Sequence, residues 1–175
     1  LVSATSMRLH QEVFRLNMKY FIRDADSVVI VEGYLDFIIP YQEGLKNIVA
    51  SQGTALTLEQ IKLLKRYTHN LVMVYDGDTA GEIATLRSLD ILIDENINVK
   101  VVPLPAGTDP DTLVRKEGIN SLKEKVEKAA NFFDYKLGVL KSRHNIKDVH
   151  DKAKIASEML LTINKFSNAI LKGEY

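Results

Sequence analysis

The feature that most constrains the fold is a regular alternation of short apolar runs with longer stretches of helical spacing. The first run, Val28 to Val31, has four consecutive β-branched residues, which is typical of a strand buried on both faces. Similar runs lie at 47–50, 71–75 and 99–104, and helical patterns lie between them at 34–43, 57–67 and 80–95. This order predicts an α/β fold, a parallel sheet of about four strands with helices on both faces.

Helical patterns flank the predicted sheet. Before it, one helical face carries Leu9, Val13, Leu16 and Tyr20. After it, apolar residues recur at spacings of three or four residues, namely Leu122, Val126, Ala129, Phe133, Leu137 and Leu140, then Ile155, Met159, Ile163, Phe166 and Ile170. We therefore predict a leading helical segment at 1–25, a sheet domain at 26–118 and a helical subdomain at 119–175.

Composition excludes several classes of protein. With 46% hydrophobic and 26% charged residues the chain is neither disordered nor fibrous, and zero cysteines exclude disulfide frameworks and thiolate metal sites. The four histidines lack metal-ligand spacing, so any metal must bind to oxygen. No apolar run approaches the roughly 18 residues of a membrane span, so we expect a cytoplasmic protein that needs no membrane. Because the chain begins with Leu, we expect it to be a piece of a longer protein.

Charge is distributed unevenly along the chain. Residues 1–114 hold 10 basic and 15 acidic residues, a net charge of −5, and residues 115–175 carry +5. An acidic front half does not attract nucleic acid unless cations or basic surface are supplied.

Acidic side chains follow three of the four predicted strands. They are Glu32, Asp36, Asp76, Asp78, Asp109 and Asp111. Parallel strands end at one edge of a sheet, where these carboxylates would repel each other unless cations neutralise them. Carboxylate oxygens suit Mg²⁺, with Mn²⁺ as a substitute, and we expect two or more ions. A phosphate group is expected to approach the backbone at Gly33, Gly53, Thr54 and Gly77.

A structural interpretation of the same residues stays open. Glu32 and Asp78 are also suited to capping the helices that follow them, and Asp109-Pro110-Asp111 is ordinary turn and capping chemistry. Tyr34 and Tyr75 border the predicted site, and packing is the favoured role for both.

Four stretches resemble the Toprim core of bacterial DnaG-type primases. They are EGYLD at 32–36, SQGT at 51–54, YDGDTAG at 75–81 and DPDTLVRKEG at 109–118. The glutamate and the DxD are similar to those of a broader class that includes topoisomerases and nucleases, and the first and last stretches narrow the resemblance to primases. It implies that Glu32, Asp76 and Asp78 are the main magnesium ligands and catalytic residues, and that Asp36, Asp109 and Asp111 support them.

The resemblance also implies an activity and partners. It implies a nucleotidyltransferase, a DNA-directed RNA polymerase that makes short RNA primers for DNA replication. The implied partners are a single-stranded DNA template, ribonucleoside triphosphates, the RNA–DNA hybrid and, through a domain not in this chain, the replicative helicase. The family's zinc-binding domain and basic subdomain are also not in this chain, so we expect the chain alone to be poorly active.

Three alternatives stay open on the residues. A Toprim-type nuclease would use the same metal ions to activate water. An aspartate phosphatase would share Asp76, Gly77 and Asp78, but the fifth position of its motif is Ala80 here and it has no need of Glu32. A non-catalytic, nucleic-acid-associated module would have no use for the clustered carboxylates, which destabilise the fold when they are not neutralised.

Overall fold

The predicted sheet is present in a computed structural model of the chain, which describes residues 18–51, 56–76, 92–93 and 95–165. The strands are β1 (Val28–Val31), β2 (Ile48–Ala50), β3 (Asn70–Tyr75), β4 (Asn98–Pro103) and β5 (Ala130–Asn131). The helices are α1 (Tyr34–Gln42), α2 (Leu58–Leu64), α3 (Pro110–Glu117), α4 (Ile119–Glu127), α5 (Phe132–Arg143) and α6 (Val149–Asn164), and residues 18–24 are also helical.

The strands form one sheet in the order β2-β1-β3-β4-β5. The first four are parallel, as the strand and helix alternation predicts, and Ile30 pairs with Val49 on one side and Met73 on the other. The fifth strand is a correction to the predicted four. It is antiparallel to β4, and its two residues, Ala130 and Asn131, are too few to give an apolar run.

Both faces of the sheet are covered, because alternate strand residues belong to different cores. Val28 and Ile30 pack in a core with α5 residues and with Ile22 and Ile61, whereas Val29 and Val31 pack in a second core with residues of α1, α3 and α4. All four β1 side chains are fully buried, which explains a continuous apolar run in place of an alternating one. Among the described helices, none is long and apolar enough to cross a membrane.

The start of α2 shows how the sequence sets a helix boundary. The Thr57 hydroxyl accepts a hydrogen bond from the Gln60 amide, and the Gln60 side chain accepts one from the Thr57 amide. This capping box satisfies two amides that the first helical turn leaves without partners. The helix ends at Leu64, three residues earlier than the pattern at 57–67 predicts.

The first residues of the predicted helical subdomain pack against the sheet and add a strand to it. The apolar repeat between Leu122 and Leu140 is not one helix, because β5 separates α4 from α5 and Asn131 caps α5 by accepting from the Asp134 amide. Leu122 and Phe133 are buried in the two cores that enclose the sheet. The domain boundary after residue 118 therefore stays a prediction, and the residues just beyond it share the cores of the sheet domain.

Candidate functional site

The candidate site lies at the carboxyl edge of the sheet, where β1, β2 and β3 end and Glu32, Ser51 and Asp76 follow them. Strands β1 and β3 are adjacent and parallel, at a typical spacing of about 4.8 Å. Their register pairs Ile30 with Met73, so Glu32 is opposite Tyr75, the residue before Asp76. One oxygen of each carboxylate, Oε1 of Glu32 and Oδ1 of Asp76, is buried from solvent. The structure thus brings two of the predicted ligands to adjacent strand ends.

The end of β2 adds a buried hydroxyl to this edge. The Ser51 amide donates to the carbonyl oxygen of Val31 at 2.9 Å, which places Ser51 next to Glu32, and its side chain is 2% exposed. The sequence pattern placed Ser51 in a phosphate loop and gave no sign of its burial. The predicted phosphate contacts Gly53 and Thr54 lie outside the described residues.

The third predicted ligand, Asp78, and its neighbour Gly77 also lie outside the described residues. Within the described ranges, no three acidic or histidine side chains come together as a complete metal site. Two of the three residues of the predicted set, Glu32 and Asp76, are therefore positioned by the strands. The predicted helical pattern at 80–95 is described only at its last few residues, where Leu92 and Ile93 are helical and buried.

Asp36 is buried and holds two parts of the chain together. Its Oδ2 accepts a hydrogen bond from the Gly33 amide at 3.0 Å, and its Oδ1 accepts one from the Asp111 amide at 3.3 Å. A Cβ atom at position 33 would lie 2.8 Å from Oδ2, so the carboxylate occupies space that a larger residue would need. Gly33 therefore allows the close approach of Asp36, independently of any nucleotide.

The electrostatic surroundings of Asp36 disfavour its charged form. Burial raises the pKa of the Asp36 carboxyl above its ordinary value of 3.8, and the negative charges of Asp109 and Asp111 raise the pKa further. The hydrogen bonds from the two backbone amides act in the opposite direction and do not fully offset burial. The charge repulsion expected among these carboxylates is therefore present for this group.

Asp109 and Asp111 have structural partners at the start of α3. The Asp109 Oδ1 accepts from the Thr112 amide at 2.6 Å, so Asp109 is the N-cap residue of the helix. The Asp111 Oδ1 accepts from Arg115 Nε at 2.6 Å, one helical turn later. The capping interpretation of Asp109 is therefore confirmed. The pairing of Asp111 with Arg115 was not predicted, although a spacing of four residues is a usable sequence signal for it.

The two tyrosines beside the site differ. Tyr75 is 4% exposed and belongs to the core, which confirms a packing role for it. Tyr34 is 62% exposed, so the packing interpretation is wrong for that residue. Position explains the difference, because Tyr75 is the last residue of a buried strand whereas Tyr34 is the first residue of α1.

Comparison with known proteins finds similarity over most of the chain. A sequence family described as Toprim-like matches residues 29–114. The DNA primase of Clostridium acetobutylicum is 42% identical over 147 residues, which is 84% of this chain and 25% of that protein.

Solved structures of primases are also similar to this chain over most of its length. A DNA primase domain from Pseudomonas aeruginosa is 31% identical with a TM-score of 0.78, over 89% of this chain and 50% of the solved one. A DnaG primase catalytic domain bound to single-stranded DNA is 31% identical with a TM-score of 0.73, over 84% of this chain and 48% of the solved one. The chain spans about a quarter of the length of the curated relatives that it matches.

Proposed function

The chain belongs to the bacterial DnaG-type DNA primase family, and we propose that it is the Toprim part of an enzyme that joins ribonucleotides into short primers for DNA replication. The observation that carries this proposal is the pair of acidic residues, Glu32 and Asp76, at the ends of the adjacent parallel strands β1 and β3. Ligands of parallel sheets bind beyond these strand ends. The similarity to primase structures supports the assignment of the reaction.

The donor atoms at this edge fit a hard divalent cation. They are carboxylate oxygens, two of which are buried, and Mg²⁺ binds such oxygens while keeping positions for substrate phosphates. We propose that Glu32, Asp76 and Asp78 hold Mg²⁺, or Mn²⁺ in its place, with Asp109 and Asp111 in support and two or more ions in total. Bound cations of this kind supply charge stabilisation to the attacking and leaving oxygens of a phosphoryl transfer.

The residues of the chain then have distinct tasks. Glu32 and Asp76 keep their carboxyl groups at neighbouring positions because they directly follow two hydrogen-bonded parallel strands. We propose that Gly53, Thr54 and Gly77 let nucleotide phosphates approach the backbone. Gly33 belongs to this set by position, but its contact with the Asp36 carboxylate already explains why it is a glycine.

The proposed partners follow from the same reaction. They are a single-stranded DNA template, ribonucleoside triphosphates and the RNA–DNA hybrid, and the replicative helicase would bind through another domain. The proposal of a template is supported by the DnaG catalytic domain that is bound to single-stranded DNA. Because residues 1–114 carry a net charge of −5, template phosphates need basic surface from elsewhere. We therefore expect this chain alone to bind metal and make little primer.

Product analysis tests this proposal. The full-length primase that contains this sequence is incubated with Mg²⁺, ribonucleoside triphosphates and single-stranded DNA, and the products are separated by size. New oligoribonucleotides that depend on template are the expected result. Cleaved DNA without new oligoribonucleotides would identify a Toprim-type nuclease instead and overturn the assigned reaction.

A further inference from the structure

The start of α3 has a complete set of hydrogen-bond partners, one of which comes from far away in the sequence. The first helical residue, Pro110, has no amide hydrogen to satisfy. The Thr112 amide donates to the Asp109 side chain and the Leu113 amide to the Asp109 carbonyl oxygen. The remaining amide, that of Asp111, donates to Asp36, which precedes it by 75 residues. Asp36 therefore completes the capping of a helix in another part of the chain.

The same carboxylate is fixed at its other oxygen. Its Oδ2 accepts from the Gly33 amide, directly after Glu32, so the carboxylate links the end of β1 to the start of α3. Helices α1 and α3 also pack together, because the half-buried Phe37 of α1 lies against the core that contains the buried Leu113 and Val114 of α3. The two hydrogen bonds add directional contacts to this apolar packing, which is by itself non-directional.

We infer that Asp36 is a positioning residue, whose carboxylate fixes the start of α3 to the end of β1 and so sets where the Asp109 and Asp111 carboxylates lie relative to Glu32. This inference deepens the proposed metal-dependent function and rests on it for its consequence in metal binding. It replaces the expectation that Asp36 is itself a supporting ligand. The two roles are separable, because positioning through the Asp111 amide operates without metal.

The first measurement uses the metal-free chain. Amide hydrogen exchange, followed residue by residue by NMR, is compared for wild type, Asp36→Ala and Asp36→Asn. In Asp36→Ala the Asp111 amide is expected to exchange at least about tenfold faster, the equivalent of one hydrogen bond, while the Thr112 amide keeps its cap on Asp109. Asp36→Asn keeps the volume and one accepting oxygen, so the Gly33 or the Asp111 amide is expected to exchange faster. Unchanged exchange of both amides in both variants would overturn the inference.

Gly33→Ala provides a test in which the carboxylate stays in the chain. The added Cβ atom would lie 2.8 Å from Asp36 Oδ2, so the carboxylate must shift, and we expect this shift to weaken its hydrogen bond from the Asp111 amide. Faster exchange at Asp111 is expected here too, together with Mn²⁺ binding weakened by about 10- to 100-fold, as is typical when the support of a metal ligand is lost. Normal exchange and normal Mn²⁺ affinity in this variant would show that the contact positions nothing.

The matched control removes a similar cap elsewhere. Asp148 caps α6 by accepting from the Asp151 amide at 3.0 Å, so Asp148→Ala is expected to speed exchange at Asp151 and leave Mn²⁺ affinity unchanged. Asp76→Ala tests the proposed function separately, since it should weaken Mn²⁺ binding without altering exchange at Asp111. Loss of one bound ion in Asp36→Ala with an unchanged Asp111 amide would make Asp36 a ligand and contradict its positioning role.

Discussion

The two edges of the sheet are built from different chemistry. The amino edge, where the strands begin, carries neutral amides and hydroxyls around one acid, namely Asp26, Ser27, Asn47, Thr68, Asn70 and Asn98. Their side chains hydrogen-bond to each other and to the backbone, and the bond from Asn98 to Asn70 joins β4 to β3 at 3.0 Å. At the carboxyl edge the side chains are mostly acids, and several of them repel each other.

The difference separates stability from function within one sheet. Hydrogen bonds between neutral groups contribute about 0.5–1.5 kcal/mol each and need nothing from outside the chain. Carboxylates that lie close together repel each other and cost stability until a cation neutralises them. We therefore expect changes at the amino edge to lower stability and leave metal binding intact, and changes at the proposed ligands Glu32, Asp76 and Asp78 to weaken metal binding without lowering stability.

The largest expected effect is at the carboxyl edge. Glu32→Gln and Asp78→Asn keep the shape of the side chain and remove its charge, so primer synthesis by the full-length primase should fall by at least about 100-fold, because metal-held charge stabilisation is worth several kcal/mol. The melting temperature of the chain should not fall. Full activity of either variant at saturating Mg²⁺ would show that metal binding does not depend on that carboxylate.

The next effect is at the amino edge. The Thr68 hydroxyl donates to Asp26 Oδ1 and accepts from the Asn70 amide, both at 3.0 Å, and Thr68 is 2% exposed. Thr68→Val keeps the shape but removes both hydrogen bonds, so the free energy of unfolding should fall by about 1–3 kcal/mol. Mn²⁺ affinity should equal that of wild type. Weaker Mn²⁺ binding in this variant would mean that the two edges are not independent.

The pH dependence of stability should show the electrostatic cost of the buried Asp36 carboxylate at the carboxyl edge. Because the pKa of Asp36 is raised in the folded chain, the folded state holds its proton to higher pH than the unfolded state does. This group therefore favours folding below its ordinary pKa, and that contribution is lost as pH rises through the raised value. Urea unfolding between pH 3 and pH 7 should show this slope in metal-free wild type and not in Asp36→Asn. Equal slopes in wild type and Asp36→Asn would mean that the Asp36 carboxylate carries no such electrostatic cost.

The smallest effect is in the helical region, away from both edges. The Asn145 amide and then Lys154 lower the pKa of the Asp151 carboxyl, which is the opposite direction to Asp36. Its contribution to stability is present above the ordinary carboxyl pKa and is lost as pH falls through the lowered value. In Asp151→Asn the free energy of unfolding should therefore fall slightly less steeply as the pH is lowered into the acid range. Mn²⁺ binding at neutral pH should be unchanged. A steeper acid transition in the variant would contradict this sign.

The sequence predicted the parts of the fold that depend on local pattern. The buried strands follow from apolar runs such as Val28 to Val31, and the start of α2 from Thr57 and Gln60. The short strand β5 could not be predicted, because pairing with Lys100 and Val101 on β4 determines it and its own two residues do not.

The candidate site was predictable in composition and less so in geometry. Parallel strands bring Glu32 and Asp76 to one edge whatever the strand order, so their convergence follows from the sequence. The contact between Asp36 and the Asp111 amide depends on the packing of α1 against α3 and leaves no sequence signal. Residues that act through a distant backbone amide are thus hidden from pattern analysis.

The central claim is that the carboxyl edge binds divalent cations through Glu32, Asp76 and Asp78. The most direct measurement is diffraction from crystals soaked in Mn²⁺, with data collected at the manganese absorption edge. We predict an anomalous peak among these three side chains, with carboxylate oxygens within about 2.5 Å of it. At saturating Mn²⁺, the absence of a peak there, or peaks confined to other surfaces, would contradict the claim.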